Sequence, residues 1–186
     1  MQERRVAPPL NLEAHHGSGA RRLLVTLSVA AVVVAADQLT KSWAVGRLSH
    51  GSIHVVWKLD LILTYNTGSA FSLAQGWGTV IAGIAVILVV GLLIAASRSR
   101  SDAMALSLGL IVGGALGNLT DRFVRGRHAV VDFVALHFWP TFNVADASIV
   151  VGAIVAGLLL WRSAPPDDAS GTTGADRSAD GRGATP

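Results

Sequence analysis

The sequence has no cysteine among its 186 residues. That excludes a disulfide framework, a thiolate metal site and a cysteine nucleophile. Charge is also scarce: 15% of residues are Asp, Glu, Lys or Arg, where a soluble domain carries about 25%. With 51% hydrophobic residues, this composition points to a membrane protein of a few spanning helices. Glutamate is missing between Arg22 and Arg162, so every acidic residue there is an aspartate, namely Asp37, Asp60, Asp102, Asp121, Asp132 and Asp146. The formal net charge of +3 comes from arginines that flank apolar runs. They form no stripe of the kind that grips nucleic acid, and positive helix flanks explain them better.

What is present is four apolar runs separated by polar segments. Residues 1–21 mix charge, proline, glycine and the adjacent His15 and His16, and are expected to be a disordered cytoplasmic tail. Arg21 and Arg22 then precede fourteen uncharged residues, LLVTLSVAAVVVAA. Such a run can be a signal-peptide core, but three more apolar runs follow, so it reads as an uncleaved first span over about residues 23–44. Asp37 and Lys41 fall at i and i+4 near its outer end. They are expected to pair there, with the lysine stem reaching for the interface. The other spans are expected over 77–96, 103–119 and 144–161, in a single membrane domain covering 22–162. The tail 163–186 is low in apolar residues and is expected to be disordered and cytoplasmic.

Two polar segments lie between the spans on one side. Residues 45–75 are rich in β-branched and aromatic residues, with Val55, Trp57, Leu59 and Leu61 at period two. They predict a small sheet ending in the turn Asn66-Thr67-Gly68-Ser69, resting on the membrane surface through Trp57 and Phe71. A plain amphipathic connector is the other reading. Asn66 serves either as a turn residue or as an amide for a bound peptide. Residues 123–141 read as a second outer loop. Counting arginines and lysines gives nine on the expected inner side and six on the outer. The shortest inner segments are the most basic, which predicts both termini in the cytoplasm.

The stretch from Gly113 to Ile149 concentrates the chemistry. It holds Asp121, Asp132 and Asp146 together with Asn118, Arg122 and Asn143, and ionisable groups at a membrane mark function by default. Asp146 is expected on the first turn of the fourth span, where the helix dipole favours its charged form. Asp132 sits in AVVDFVAL, an apolar surround that raises a carboxyl pKa by desolvation. Two carboxylates so distinguished can divide the work of peptide hydrolysis, one activating water and one supplying a proton. Asn118, Asn143 and Arg122 offer hydrogen bonds to a substrate backbone. The plainer alternative makes Asp121 and Asp146 helix-end caps and pairs Asp132 with Arg125 or Arg127. Asp102 is read as a solvated helix-start charge and Asp60 as an exposed partner of Lys58. His128 and His137 flank Asp132, but there is no HExxH pattern, so no metal is assigned. The glycines at 109, 113, 114 and 117 are expected to let helices approach closely.

The blocks ADQLTK (36–41), YNTGSAFS (65–72), GGALGNLTDR (113–122), VVDF (130–133) and FNVADASI (142–149) resemble lipoprotein signal peptidase, also called signal peptidase II. All five occur in the family's order and together anchor residues 22–162. The resemblance implies four transmembrane helices with cytoplasmic termini, an extracytoplasmic β-cradle, and a cofactor-free aspartic site at the outer surface of a bacterial plasma membrane. It implies cleavage of prolipoproteins just before a cysteine bearing a diacylglyceryl group, whose acyl chains stay among the helices and membrane lipids. By motif, the catalytic pair falls on Asp132 and Asp146. Asn66, Asn118, Arg122 and Asn143 match positions lining the family's substrate site, and Asp37 and Asp121 match supporting aspartates. Asp121 is the rival for the first catalytic role. Two departures are the short segment between Asp132 and Asp146 and the long polar tails. A different class of function, a proton-coupled transporter using the aspartates as a relay, would instead place carboxylates at mid-membrane on several helices.

Overall fold

The computed structural model describes residues 13–67, 78–99, 101–125 and 129–163, with side chains of the first two helices described from residues 19 and 83 onward. Four helices and a four-stranded antiparallel sheet alternate along the chain: α1 (Glu13–Leu48), β1 (Ile53–Val56), β2 (Leu59–Asn66), α2 (Gly78–Arg98), α3 (Asp102–Phe123), β3 (Val130–Leu136), β4 (Trp139–Phe142) and α4 (Val144–Ser163). Each expected apolar run is a helix. Helix α1 starts at Glu13, inside the segment expected to be a polar tail, and α3 runs four residues past the expected end at 119. Three helical stretches, Gly19–Leu48, Asp102–Phe123 and Val144–Ser163, are long and apolar enough to cross a membrane, and Gly83–Arg98 is a shorter apolar one. Large apolar side chains such as Ile87, Val151 and Leu160 face outward. That surface suits lipid rather than water as the surrounding solvent.

Helix α3 is the centre, packed against α1 on one side and α4 on the other, while α2 leans on α3 and α1. Its glycines make the approach possible. A Cβ on Gly113 would stand 2.7 Å from Val33 Cβ and 2.9 Å from the Ala30 backbone, distances that no settled methyl group tolerates. The N-terminus of α3 is capped by Ser101, whose hydroxyl accepts from the Met104 N–H at 3.1 Å. One such cap stabilises a helix by about 1 kcal/mol. Asp102 on its first turn pairs with Arg21 at 2.7 Å, so this charge ties α3 to α1 rather than standing alone in solvent.

The sheet has the order β1-β2-β3-β4. The first outer segment is a hairpin: the period-two run is interrupted at Trp57 and Lys58, where Trp57 takes a positive φ of 51° and the chain reverses. Asn66 ends β2, and Gly68 and Ser69 of the expected turn, with Phe71, lie outside the described residues. The second outer segment corrects the loop reading. Residues 130–136 and 139–142 are strands, with β3 paired to β2 so that Thr64 faces Asp132 and Asn66 faces Val130. Phe133 of β3 packs with Ala44 and Leu48 of α1 in a small apolar core, with Ile53, Leu61, Leu63 and Val144 around it. This core fixes the sheet to the C-terminal end of α1 and the start of α4.

The pairing expected between Asp60 and Lys58 is also corrected. Asp60 instead accepts from two histidines, His54 at 2.6 Å and His137 at 2.9 Å. Antiparallel pairing sets His54 opposite Asp60, and the β3–β4 turn brings in His137, whose N–H also reaches the Lys58 carbonyl at 3.3 Å. Lys58 lies over the Trp57 ring, 5.3 Å from its centroid. The His137 bond, with that to His54 second, holds the Asp60 carboxyl below its ordinary value.

Candidate active site

Where α1, α3 and α4 meet the sheet, four aspartates, three asparagines and a lysine share one hydrogen-bonded cluster. Lys41 is at its centre. It is fully buried, so the expectation that it reaches for the interface is wrong. Its ammonium carries three N–H donors and no acceptor. They meet Asp37 at 2.8 Å, Asp121 at 2.8 Å and Asn118 Oδ1 at 3.0 Å. The i,i+4 spacing of Asp37 and Lys41 makes the first contact local, and the tertiary fold supplies the other two. A lone ammonium buried there would lose several kcal/mol of hydration, which two carboxylates and an amide oxygen offset.

Asp37 and Asp121 are both fully buried, and each is used up structurally. Asp37 Oδ1 accepts from the Ala145 N–H at 3.0 Å. It thereby serves one of the free donors at the start of α4. Asp121 Oδ1 accepts from Gln38 Nε2 at 3.0 Å and pairs with Arg125 at 3.3 Å, while Oδ2 meets Lys41 and the Val131 N–H at 3.0 Å. This carboxylate joins α1, α3 and the start of β3. Gln38 and Arg125 complete it, since Arg125 also donates to Gln38 Oε1 and to the Gln38 carbonyl, each at 3.2 Å. Neither residue stands out in the sequence, although Gln38 lies inside the ADQLTK block. Arg122 lies one helical step from Asp121, half-buried on α3. Among the described residues, the arginine that pairs with a site carboxylate is Arg125.

Asp132 and Asp146 are held differently. Asp132 is on β3, 1% exposed, with Val130, Val131 and Phe133 buried beside it. Its Oδ1 accepts from Asn143 Nδ2 at 2.7 Å and its Oδ2 from Asn66 Nδ2 at 3.2 Å. No arginine reaches it among the described residues, so the pairing with Arg125 weighed from sequence does not occur; Arg127 lies outside them. Burial raises its carboxyl pKa, partly offset by the Asn143 and Asn66 bonds, with the nearby Asp146 adding to the rise. Asp146 is half-exposed in the first turn of α4. Asn143 and Asp146 form a reciprocal helix cap: Asn143 Oδ1 accepts the Asp146 N–H at 2.9 Å, and Asp146 Oδ2 accepts the Asn143 N–H at 3.2 Å. Asn118 Nδ2 donates to Asp146 Oδ1 at 2.8 Å. The helix-cap reading of Asp146 is therefore correct as geometry. It does not compete with a chemical role, because capping holds the carboxylate in place without covering it.

Asn143 is the hinge of the arrangement. Fully buried, it donates through its side chain to Asp132 and through its backbone to Asp146. Its Nδ2 also lies 3.2 Å from Asn118 Oδ1 and 3.3 Å from the Val131 carbonyl. The structure thus brings Asn66, Asn118, Asn143, Asp37, Asp121, Asp132 and Asp146 into one network. A half-exposed carboxylate beside a desolvated one is chemically suited to hydrolysis without a covalent intermediate. Among the described residues no three histidine, cysteine or acidic side chains group as metal ligands. His137 is engaged by Asp60, and His128 lies outside the described residues. The carboxylates gather at one end of α1, α3 and α4 and on β3, with none from α2. The proton-relay reading finds no support in that placement.

The chain is similar to known proteins over most of its length. A family model described as signal peptidase (SPase) II matches residues 29–162. Proteins named lipoprotein signal peptidase resemble it from Mycobacterium leprae, 46% identical over 75% of this chain and 72% of that protein, and from Rhodococcus jostii, 44% identical over 79% and 77%. A solved structure of a bacterial membrane enzyme superposes with a TM-score of 0.69 at 27% identity, covering 75% of this chain and 94% of that one. A second, also described as a bacterial membrane enzyme, gives 0.65 at 25% identity over 80% and 94%. The five sequence blocks, the helix-and-sheet architecture and these likenesses agree: the chain is a membrane protein of the signal peptidase II family.

Proposed function

We propose that the chain removes the signal peptide from diacylglyceryl-modified prolipoproteins as an aspartic endopeptidase, with Asp132 and Asp146 as the catalytic pair. One observation carries the reading. A single buried residue, Asn143, donates to both carboxylates, at 2.7 Å and 3.2 Å, so the two acids are fixed side by side in unlike surroundings. Asp146, at a helix N-terminus with two N–H donors, is the charged base. Asp132, desolvated on β3, carries the proton.

In the forward direction Asp146 takes a proton from water, and the water oxygen attacks the scissile carbonyl carbon. Asp132 gives its proton to the carbonyl oxygen as negative charge develops there. The tetrahedral intermediate collapses as Asp146 passes its proton to the leaving cysteine amine. Asp132 recovers a proton from one of the two hydroxyls, and both acids return to their starting states. The half-exposed Asn118 and Arg122, with Asn66 at the end of β2, are placed to bond the substrate backbone. Asp37 and Asp121 hold the scaffold and do no chemistry.

The site lies at the outer rim of a four-span bundle with both termini cytoplasmic, in the plasma membrane of a bacterium. Cleavage falls immediately before the lipid-bearing cysteine, whose acyl chains lie along the apolar helix faces. No cofactor takes part, so chelators leave the rate unchanged. The test is cleavage of a diacylglyceryl-modified prolipoprotein in detergent, read by mass spectrometry of both products. The expected new N-terminus is the lipidated cysteine, with no product from the unlipidated precursor. Equal cleavage of both precursors would contradict the substrate assignment.

A further inference from the structure

The mechanism above leaves one buried charged group without a task. Lys41 contacts neither Asp132 nor Asp146, yet its ammonium is fully enclosed and all three of its protons are engaged. Two of them satisfy Asp37 and Asp121. The third goes to Asn118 Oδ1, and it has a consequence for the amide. An ammonium only donates, so the oxygen of Asn118 must face Lys41. Asn143 Nδ2, a second donor, meets the same oxygen at 3.2 Å. The Asn118 N–H group is therefore forced to the other side, where Asp146 Oδ1 accepts it at 2.8 Å. With the amide reversed, two donors would confront the Asn118 nitrogen and an oxygen would confront the Asp146 carboxylate.

We propose that Lys41 is a positioning residue that locks the amide orientation of Asn118, so that an N–H donor and not an amide oxygen faces Asp146, the base of the dyad. The proposal rests on the assignment of Asp132 and Asp146 as the catalytic pair. The charged and titratable groups around this line of contacts are Asp37 and Lys41 from α1, Asp121 and Arg125 with it from the α3 end, Asp132 from β3, and Asp146 itself on α4. Among the described residues, Asn118 is the side chain that touches both Lys41 and Asp146. A carboxylate facing N–H donors keeps its charge to lower pH, and one facing an amide oxygen does not. Loss of the lock therefore changes the pH at which the base is available, whereas a purely structural lysine changes only the amount of folded enzyme.

The test is the pH profile of kcat for cleavage of a diacylglyceryl-modified prolipoprotein by the full chain in detergent. Lys41→Met alone leaves buried carboxylates without a counter-charge, so it is combined with Asp37→Asn, whose side-chain oxygen still accepts from Ala145. The expected result is a 10- to 100-fold lower kcat, KM within about threefold, and an acid limb moved up by about one pH unit, one hydrogen bond to a charged group being of that size. Lys41→Arg, also a pure donor, returns the limb toward its wild-type position. Asn118→Asp keeps the contact with Lys41 while turning an oxygen toward Asp146, and it moves the limb in the same direction even if the double variant does not fold. An unchanged limb in Asn118→Asp, or one unchanged with lower amplitude in the double variant, overturns the proposal. Asp132→Asn and Asp146→Asn run in parallel. Cleavage surviving in either sinks the dyad itself, while its loss in both with an unmoved limb sinks only the role of Lys41.

Discussion

Asp121 and Asp132 carry the same functional group eleven residues apart, and their surroundings separate them. Asp121 meets four donors, two of them cationic, and removing its charge leaves Lys41 with one carboxylate. Breaking a buried ion pair in this way costs about 3–5 kcal/mol. Asp121→Asn is therefore expected to lower the unfolding midpoint in detergent markedly, while kcat per folded molecule changes far less than for Asp132→Asn. Asp132 behaves in the opposite sense. Its folded carboxyl holds its proton to higher pH than the unfolded one, so its contribution to stability is present at low pH and lost as pH rises through the folded value. Asp132→Asn, neutral at every pH, should consequently unfold at an equal or higher temperature than wild type at neutral pH, with no cleavage. A clear drop in that midpoint would contradict the desolvation account. Asp60 has the reverse sign again. Its folded value lies below the ordinary 3.8, so its contribution is present above that value and disappears as pH falls through the folded one. Thermal melts of wild type and Asp60→Asn should differ at pH 6, and the difference should shrink as pH falls below 3.8.

At the scale of elements, α3 explains why the glycines are where they are. A methyl on Gly117 would stand 2.6 Å from Asp37 Oδ2 and 3.3 Å from Ala145 Cβ. Gly117→Ala should displace the carboxylate that caps α4, lowering kcat at least tenfold and destabilising by about 1–3 kcal/mol, the usual cost of overpacking. Gly83, whose added Cβ would meet nothing within 4 Å, is the matched control, and Gly83→Ala should leave the unfolding midpoint within a degree or two. The helices were legible in the sequence because each is a long apolar run, and the glycine spacing announced close packing. Strands β3 and β4 were not. VVDFVAL is apolar almost throughout, so it lacks the alternation of a half-buried strand, and only pairing with β2 decides its conformation. The hairpin at Trp57 and Lys58 was hidden for a related reason: a tryptophan at positive φ is not a turn signal that sequence provides. Long-range partners escaped as well. Sequence proximity suggested Lys58 for Asp60, where sheet register supplies His54 and His137. The i,i+4 spacing found the Asp37–Lys41 pair but not its burial, because Asp121 and Asn118 come from a helix some eighty residues away.

The whole molecule is a bundle that carries a sheet at one end, and its polar network sits at their junction. Three of the helices are long and apolar enough to span a membrane. The order of the five sequence blocks was sufficient to indicate the family, since each block places one group of the network: Asp37 and Lys41, Asn66, Asn118 with Asp121, Asp132, and Asn143 with Asp146. The sequence did not reveal Gln38 and Arg125, which brace Asp121 from outside. The carboxylates of this network are already met by ammonium and N–H donors, and a chelator is expected to leave cleavage unchanged across a range that strips divalent cations. The division of labour between the aspartates is the central claim, and cleavage of a diacylglyceryl-modified prolipoprotein by purified wild type, Asp132→Asn, Asp146→Asn and Asp121→Asn tests it most directly. The account predicts that the first two variants fold and cleave at no more than about a thousandth of the wild-type rate, in the range that loss of an acid–base group produces, while folded Asp121→Asn still cleaves. Cleavage that survives Asp132→Asn and vanishes in folded Asp121→Asn would contradict it, and would move the first catalytic role to Asp121.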